Sequence, residues 1–275
     1  RSIKTMSTIH KQEGRSIDAI FEIEGGISNY LLSGNGKSMY VITSEWSREF
    51  KNIEDKNSEP MYYENLPFRF DTRGIIYNKR SHVYKVNIKT KKFTKTIDGD
   101  AKDIISIESL VEGDKGLVIS FDQYNSKGTM LEEKVASLEN KKIKEIHSRG
   151  SMSNLFYYEG GLHAVGLRNR FDWPTNTAIL KLSRNGKVTL KHSTFDRNVV
   201  KAEVNNSLLY FLYEDSGKTL LRDGTNNIDL IDAEVTVKDF AFNNDKTYVI
   251  ANSFSKPDEV YEINNGQLEK TSKAN

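Results

Sequence analysis

Three residue patterns in this chain of 275 residues are of types that can do chemistry. The first is Gly36-Lys37-Ser38, inside "LLSGNGKSMYVI" (31–42), which ends like a phosphate-binding loop. Such a loop needs a glycine five residues before the Gly-Lys pair and a helix directly after it, so that backbone N–H groups and a helix N-terminus meet the phosphate. Leu31 stands at the glycine position, and the following Met39-Tyr40-Val41-Ile42 fits a pleated strand. An Asn-Gly hairpin turn is the better reading. The second pattern is Gly-x-Ser, the start of a nucleophile elbow, Gly-x-Ser-x-Gly. Gly14-Arg15-Ser16, Gly26-Ile27-Ser28 and Gly36-Lys37-Ser38 all fail at the fifth position, which holds Asp18, Tyr30 and Tyr40. The third is a scatter of five histidines, His10, His82, His147, His163 and His192, with no His-x-x-x-His or Glu-x-x-His pair to make a zinc face. Asp122-Gln123-Tyr124-Asn125 and Asn243-Asn244-Asp245 lack the alternating oxygen spacing of a calcium loop. The expectation is a chain with no catalytic residue, no metal ligand set and no cofactor of its own.

The elements around these residues repeat. "YLLSGNGKSMYVITS" around Asn35 recurs as "SLVEGDKGLVISF" around Asp114, "FYYEGGLHAVGL" around Glu159, "AEVNNSLLYFLY" around Asn205 and "AFNNDKTYVIANS" around Asn244. Each copy reads as strand, short turn, strand. The intervals are 79, 45, 46 and 39 residues, and the first equals one period plus an insertion of roughly 35, as repeat arrays allow in surface loops. A second turn alternates with the first, near Lys91, Lys141, Gly186, Gly224 and Gly266. Four short strands in a period of about 40–45 residues are the signature of a β-propeller blade, whose innermost strand lines a central channel. The predicted fold is therefore an all-β propeller of four-stranded antiparallel blades. It has a half-blade at 1–25, read as one strand, and whole blades at about 26–100, 101–150, 151–197, 198–235 and 236–275, which makes six with the first incomplete and leaves the seam open to question. The predicted inner strands are 27–33, 104–111, 152–158, 199–204 and 237–242. These strands, with the residue just before the second, carry isolated acids, Asp103, Glu108, Glu203 and Asp239 among them.

Bulk properties narrow the partners. Forty Lys and Arg against 38 Asp and Glu give no strong basic field for nucleic acid. No run of about 18 apolar residues exists to cross a membrane as a helix. The absence of cysteine excludes disulfides and thiolate metal sites and fits a cytoplasmic location. The first residue is Arg1, as expected of a fragment or processed form.

Only two tryptophans, Trp46 and Trp173, are present and neither precedes Asp, which argues against a WD-repeat propeller. Residues 64–100 and 237–275 are more informative. Leu66, Pro67, Arg69, Asp71, Gly74, Arg80, His82 and Tyr84 follow the Leu-Pro-x-Arg-x-Asp-x-x-Gly and Arg-x-His-Leu-Tyr pattern of an early propeller blade. Pro257-Asp258-Glu259-Val260-Tyr261 and Thr271-Ser272-Lys273-Ala274-Asn275 follow the pattern of a last blade. In these segments the chain resembles the N-terminal propeller of prolyl oligopeptidase clan serine peptidases, most closely the acylaminoacyl-peptidase branch. The resemblance implies an α/β-hydrolase domain after residue 275 as partner, peptide substrates, and a capping and gating role for the propeller. The parent would be the serine peptidase and this chain its non-catalytic domain. A stand-alone scaffold for protein–protein interaction is the alternative, and a propeller lactonase or glycosidase a third class.

The insertion from Ser47 to Arg80 exceeds what a blade needs, and long loops on rigid scaffolds often bind ligands. Arg69, Arg73, Lys79 and Arg80 stand among Phe68, Phe70 and Tyr77. Such a patch could hold a peptide carboxylate through paired N–H donors while the aromatics cover apolar side chains. An edge hairpin with Glu64 and Asp71 as surface partners is the competing reading. The gate or peptide-contact candidates are thus Arg69, Arg73, Arg80, Phe70 and Tyr77, with Trp173 in the loop "RNRFDWPTN" (168–176).

Overall fold

The computed structural model describes residues 6–13, 16–46, 60, 62–70, 74–114, 116–139, 142–169, 175–183, 185–191, 195–231 and 234–271. Two compact units divide the chain, Arg1–Arg149 and Gly150–Asn275.

In unit 1, β1 (Met6–Glu13) and β2 (Ser16–Glu24) form an antiparallel hairpin. Next come β3 (Gly26–Leu32) and β4 (Ser38–Trp46), then a long connection bearing a two-residue-per-strand hairpin, β5 (Arg69–Phe70) and β6 (Gly74–Ile75), and finally β7 (Lys79–Asn87) and β8 (Phe93–Ile97). Strands β3, β4, β7 and β8 make one four-stranded sheet in that order. A single helical turn, α1 (Gly99–Lys102), leads to the second sheet, built of β9 (Ile104–Gly113), β10 (Gly116–Tyr124), β11 (Leu131–Glu139) and β12 (Lys142–His147).

Unit 2 holds three more sheets of the same kind. They are β13 (Ser151–Tyr158), β14 (Gly161–Leu167), β15 (Ala178–Leu182) and β16 (Val188–Leu190); β17 (Asn198–Asn205), β18 (Leu208–Asp215), β19 (Lys218–Asp223) and β20 (Ile228–Asp229); and β21 (Thr236–Asn243), β22 (Lys246–Ser253), β23 (Lys256–Asn264) and β24 (Gln267–Lys270). Among the described residues there are thus five four-stranded antiparallel meanders, preceded by the β1–β2 hairpin. Sequence reasoning had one strand in 1–25. The second, β1, mixes charge and short apolar runs as an edge strand does, and it pairs with β2 from Met6↔Glu24 to Glu13↔Ser16.

Turn chemistry explains the meander. Glu159-Gly160, Asn206-Ser207 and Asn265-Gly266 place both central residues at positive φ, the primed-turn geometry whose twist matches that of the flanking strands. The Gly34–Lys37 segment is a further strand reversal, in which Gly36 takes the positive φ. Ser33 Oγ donates to Asn35 Oδ1, the Lys37 amide donates to the same oxygen, and the Gly34 amide donates to Glu112 Oε2 at 3.0 Å. A strand, β4, follows at Ser38, so the amides that a phosphate would need are already used and no helix N-terminus points at them.

The second strand of each sheet is the most deeply buried. In β4, Met39 and Val41 face the β1–β2 hairpin with Phe21 and Ile23, whereas Tyr40 and Ile42 face the next sheet with Ile104, Ile107, Leu117 and Ile119. Such a strand reads as a near-continuous apolar run because both faces are covered. In unit 2, Phe211 and Tyr213 of β18 face the β13–β16 sheet, and Leu212 between them faces the β21–β24 sheet. Each fully buried Val, Leu or Ile contributes roughly 1.5–3 kcal/mol. These face-to-face cores hold neighbouring sheets together within each unit.

Close packing leaves no room at Gly166 of β14, where an added Cβ would lie 1.8 Å from the Ser151 carbonyl oxygen. Gly166→Ala is expected to cost about 1–3 kcal/mol, as overpacking does. Urea unfolding should show a lower midpoint with an unchanged m-value.

Candidate functional site

The first strand of every four-stranded sheet carries a β-bulge against the second. The register slips between Ile27 and Asn29, at Glu108, between Ser153 and Phe156, between Val199 and Lys201, and between Val237 and Asp239. A bulge re-aims the side chains beside it. In unit 2 the re-aimed residues meet. The Ala202 amide donates to Asn154 Oδ1, and Lys201 Nζ donates to Asp239 Oδ1 at 2.6 Å and lies 3.7 Å from Glu203 Oε2 and 4.8 Å from the Phe240 ring centre. A polar line therefore runs across β13, β17 and β21. Burial pushes the Glu203 carboxyl above its usual range, with Lys201 opposing and Asp239 reinforcing the shift. Sequence reasoning had Glu203 and Asp239 as isolated acids; it missed the lysine between them, because bulges have no sequence signature.

In unit 1 the long connection folds onto the second sheet. The Leu66 amide donates to the Gly128 carbonyl at 2.6 Å, and Tyr124 Oη donates to the Pro67 carbonyl at 2.8 Å. Burial holds the Tyr124 hydroxyl up at about 12, so it stays a donor at any ordinary pH. Tyr63 stacks on Phe68 at 4.2 Å and meets Tyr77 edge-on at 5.6 Å, and Tyr77 leans on Tyr124.

The predicted site residues separate on this frame. Arg69 is exposed on β5, opposite Ile75. Tyr77 is half-buried in the aromatic cluster. Arg80 is only 15% exposed; it donates to the Tyr77 and Lys79 carbonyls and to Asp103 Oδ1 at 2.6 Å. Its donors brace the base of the insertion against the β9 entry. Phe70 is described through its backbone in β5, and Arg73 and Trp173 lie outside the described residues.

Beside Arg80, His82 is 99% buried, and the structure places three carboxylates around it. Its Nδ1 accepts from the Gly99 amide at 3.1 Å, which assigns the ring proton to Nε2, facing Glu45 at 3.7 Å and Asp100 at 3.9 Å. Glu45 in turn accepts from Thr43 and from Tyr84 Oη. His82, Asp98 and Asp100 are close enough to share a metal ion. The tautomer argues otherwise: a metal on Nε2 would require a proton on Nδ1, directed at the Gly99 N–H. The group is a hydrogen-bonded knot tying β7 to α1, and Gly99 is required there because a Cβ would sit 2.1 Å from the Ser81 carbonyl oxygen.

His163 of β14, also buried, stacks on Phe156 with Nδ1 3.0 Å from the Gly161 carbonyl. Burial lowers the pKa of both histidines; for His82 it outweighs Glu45, Asp100 and Asp98, which pull the other way, while Lys95 adds to the lowering. A histidine whose folded pKa is depressed stabilises fully above its unfolded value near 6.5 and loses that stability as pH falls through the folded value. His82→Asn, which keeps an acceptor for the Gly99 amide, should therefore flatten part of the acid limb of stability. Unfolding midpoints from about pH 7 to pH 5 measure this, and wild-type and variant curves of the same slope would refute it.

No family profile matches the chain, and no curated protein matches it by sequence. Solved structures do. The chain is similar to Pyrococcus horikoshii acylaminoacyl peptidase, with a TM-score of 0.70 at 12% identity over 93% of this chain and 39% of that one. It is similar to the β-propeller domain of the trilobed protease from Pyrococcus furiosus, which has an open Velcro topology, with a TM-score of 0.61 at 9% identity over 96% of this chain and 77% of that one. A puromycin-hydrolysing peptidase of Mycobacterium tuberculosis matches with a TM-score of 0.61 at 11% identity over 96% of this chain and 44% of that one. The fold is a β-propeller, and the five meanders are its blades. It is the fold of the propeller domains of acylaminoacyl and prolyl oligopeptidase-type peptidases, and the chain spans about two fifths of the length of such peptidases.

Proposed function

We propose that this chain is the non-catalytic propeller domain of a serine peptidase, that an α/β-hydrolase domain follows residue 275, and that the propeller caps that domain's active site. The observation that carries this reading is the match of 93–98% of the chain to propeller domains that make up only part of their peptidases. Capping acts by size. A passage narrower than a folded domain admits short peptides and excludes globular proteins. The bulged first strands would line the passage, with Lys201, Asp239 and Asn154 among the groups that a peptide meets. Arg69, exposed and following Phe68 of the Tyr63–Phe68 stack in the chain, is the gate residue that would offer its guanidinium to a peptide carboxylate. An unclosed seam, as in the trilobed protease propeller, would let the passage widen. The absence of cysteine suits a reducing, cytoplasmic setting, and no helix among the described residues is long and apolar enough to cross a membrane.

Chromogenic acyl-amino-acid and short-peptide substrates test the reading on this chain and on the same gene read past residue 275. Turnover by the longer protein with none by residues 1–275 is the expected result. Turnover by 1–275 alone would reveal a catalytic site within the propeller, and silence from both would favour a scaffold that recruits another protein.

A further inference from the structure

Charge is balanced over the whole chain but not along it. Forty Lys and Arg face 38 Asp and Glu in total, yet residues 72–97 hold eight cations and no Asp or Glu. Part of this excess is used by the fold. Arg80 is tied to Asp103, Lys79 lies over the Trp46 ring, and Lys95 lies over the Tyr84 ring and 3.7 Å from Asp98. Four others, Lys85, Lys89, Lys91 and Lys92, are exposed and have no carboxylate partner among the described residues. Lys37 joins them, because the Ile88 amide donates to its carbonyl at 3.1 Å and so sets the β3–β4 turn beside the β7–β8 turn. Glu112, which reaches the β3–β4 turn, is already engaged by the Gly34 amide and Tyr40 Oη. Unit 2 has the opposite habit: Lys191, Lys201, Lys238, Lys246 and Lys270 each meet a carboxylate.

Turn geometry does not account for these lysines. The β7–β8 turn is closed by the Lys91 amide on the Asn87 carbonyl and by the Thr90 amide on Asn87 Oδ1, both at 2.8 Å. Its left-handed residue is Lys91, at φ 57°, where the corresponding turns of unit 2 use Gly186, Asn227 and Asn265-Gly266. Asparagine and glycine take that conformation at least cost. A lysine there contributes charge, not shape.

Beside the lysines, one face of the sheet is incompletely covered. Met39, Val86 and Phe93 form one cross-strand row and so share a face. The β1–β2 hairpin covers Met39 and Val86 with Phe21 and Ile23, but Phe93, on β8, stays 53% exposed, with Tyr84 edge-on to it at 5.9 Å. Strand β8 is also the last of its sheet, so its outer edge presents backbone N–H and C=O groups.

We propose that β8 and the lysine turns beside it form a binding surface for an extended acidic peptide segment. The segment lies along β8, its carboxylates meet Lys89, Lys91 and Lys92 at the turn, and an apolar residue covers Phe93. Lys37 and Lys85 add to the field. Strand edges recruit extended peptides through the backbone while side chains set the choice of sequence, and the sign of this patch selects carboxylates. A bilayer fits less well: Phe93 stands on the sheet face and not at the tip of the turn, and lipid would leave the backbone edge without partners. The proposal rests on the first four-stranded sheet alone and does not depend on the peptidase reading.

Fluorescence anisotropy of a fluorescein-labelled peptide of alternating Glu and Val with one central Phe tests this on residues 1–275, against the same peptide with Gln for Glu. The acidic peptide should bind, and its affinity should fall severalfold between about 0.05 and about 0.3 M salt, as screening requires. The triple variant Lys89→Glu, Lys91→Glu, Lys92→Glu should weaken binding at least about tenfold, and Phe93→Ala about threefold. A control triple in unit 2, Lys181→Glu, Lys187→Glu, Lys256→Glu, changes the net charge equally at exposed lysines and should weaken binding less than about twofold. No binding of the acidic peptide, equal binding of the Gln peptide, or equal losses in the two triples would overturn the surface. Phosphatidylserine vesicles that bind the wild type and not the first triple, with the acidic peptide unbound, would assign the patch to lipid instead.

Discussion

Everything in this chain depends on the burial of second strands on both faces. A strand in the middle of a sheet that lies between two others must satisfy two neighbours at once, as Val41 and Ile42 do in β4 and as Phe211 and Leu212 do in β18. A sheet with one face left in water would read as an alternating strand; these read as continuous apolar runs, and that difference makes neighbouring sheets stack instead of standing alone. The burial is large, at roughly 1.5–3 kcal/mol per residue; first strands add core residues such as Ile104, Ile107 and Phe156 to it, and fourth strands add few, such as Ile97. First strands also carry bulges and polar side chains, and fourth strands can be as short as Ile228–Asp229.

The polar features follow from that division. Lys201, Asp239 and Asn154 lie on first strands whose bulges turn them away from the stacked faces, so their ion pair and amide contacts run from blade to blade. The His82 knot occupies the other kind of place that stacking leaves, the crossing from one sheet to the next. There β8, α1 and β9 must reverse within a few residues; the Gly99 amide donates to the His82 imidazole, and the carboxylates of Glu45, Asp98 and Asp100 surround the ring. Arg80 belongs to the same crossing through Asp103.

The repeat was legible in the sequence because turns and second strands are its two most constrained parts. Gly, Asn and Asp mark every predicted turn that the structure describes, and the five predicted inner strands coincide closely with β3, β9, β13, β17 and β21. What escaped reading depends on contacts across long separations. The basic and aromatic residues of 68–80 are compatible with a binding patch or a brace, and the choice for Arg80 was made by Asp103, 23 residues away. Lys201 finds Asp239 38 residues away through a bulge that neither segment announces. Phe254 belongs to no motif or turn read from the sequence, and its exposure is visible only once the fold is known.

The central proposal is that the propeller limits by size the substrates that reach a hydrolase domain. The most direct measurement is the rate at which the full-length protein cleaves one scissile sequence presented in peptides of increasing length and, finally, in an exposed loop of a folded protein. The account predicts rapid cleavage of the short peptides, a fall as length grows, and none in the folded protein. Equal rates across the whole series would contradict it.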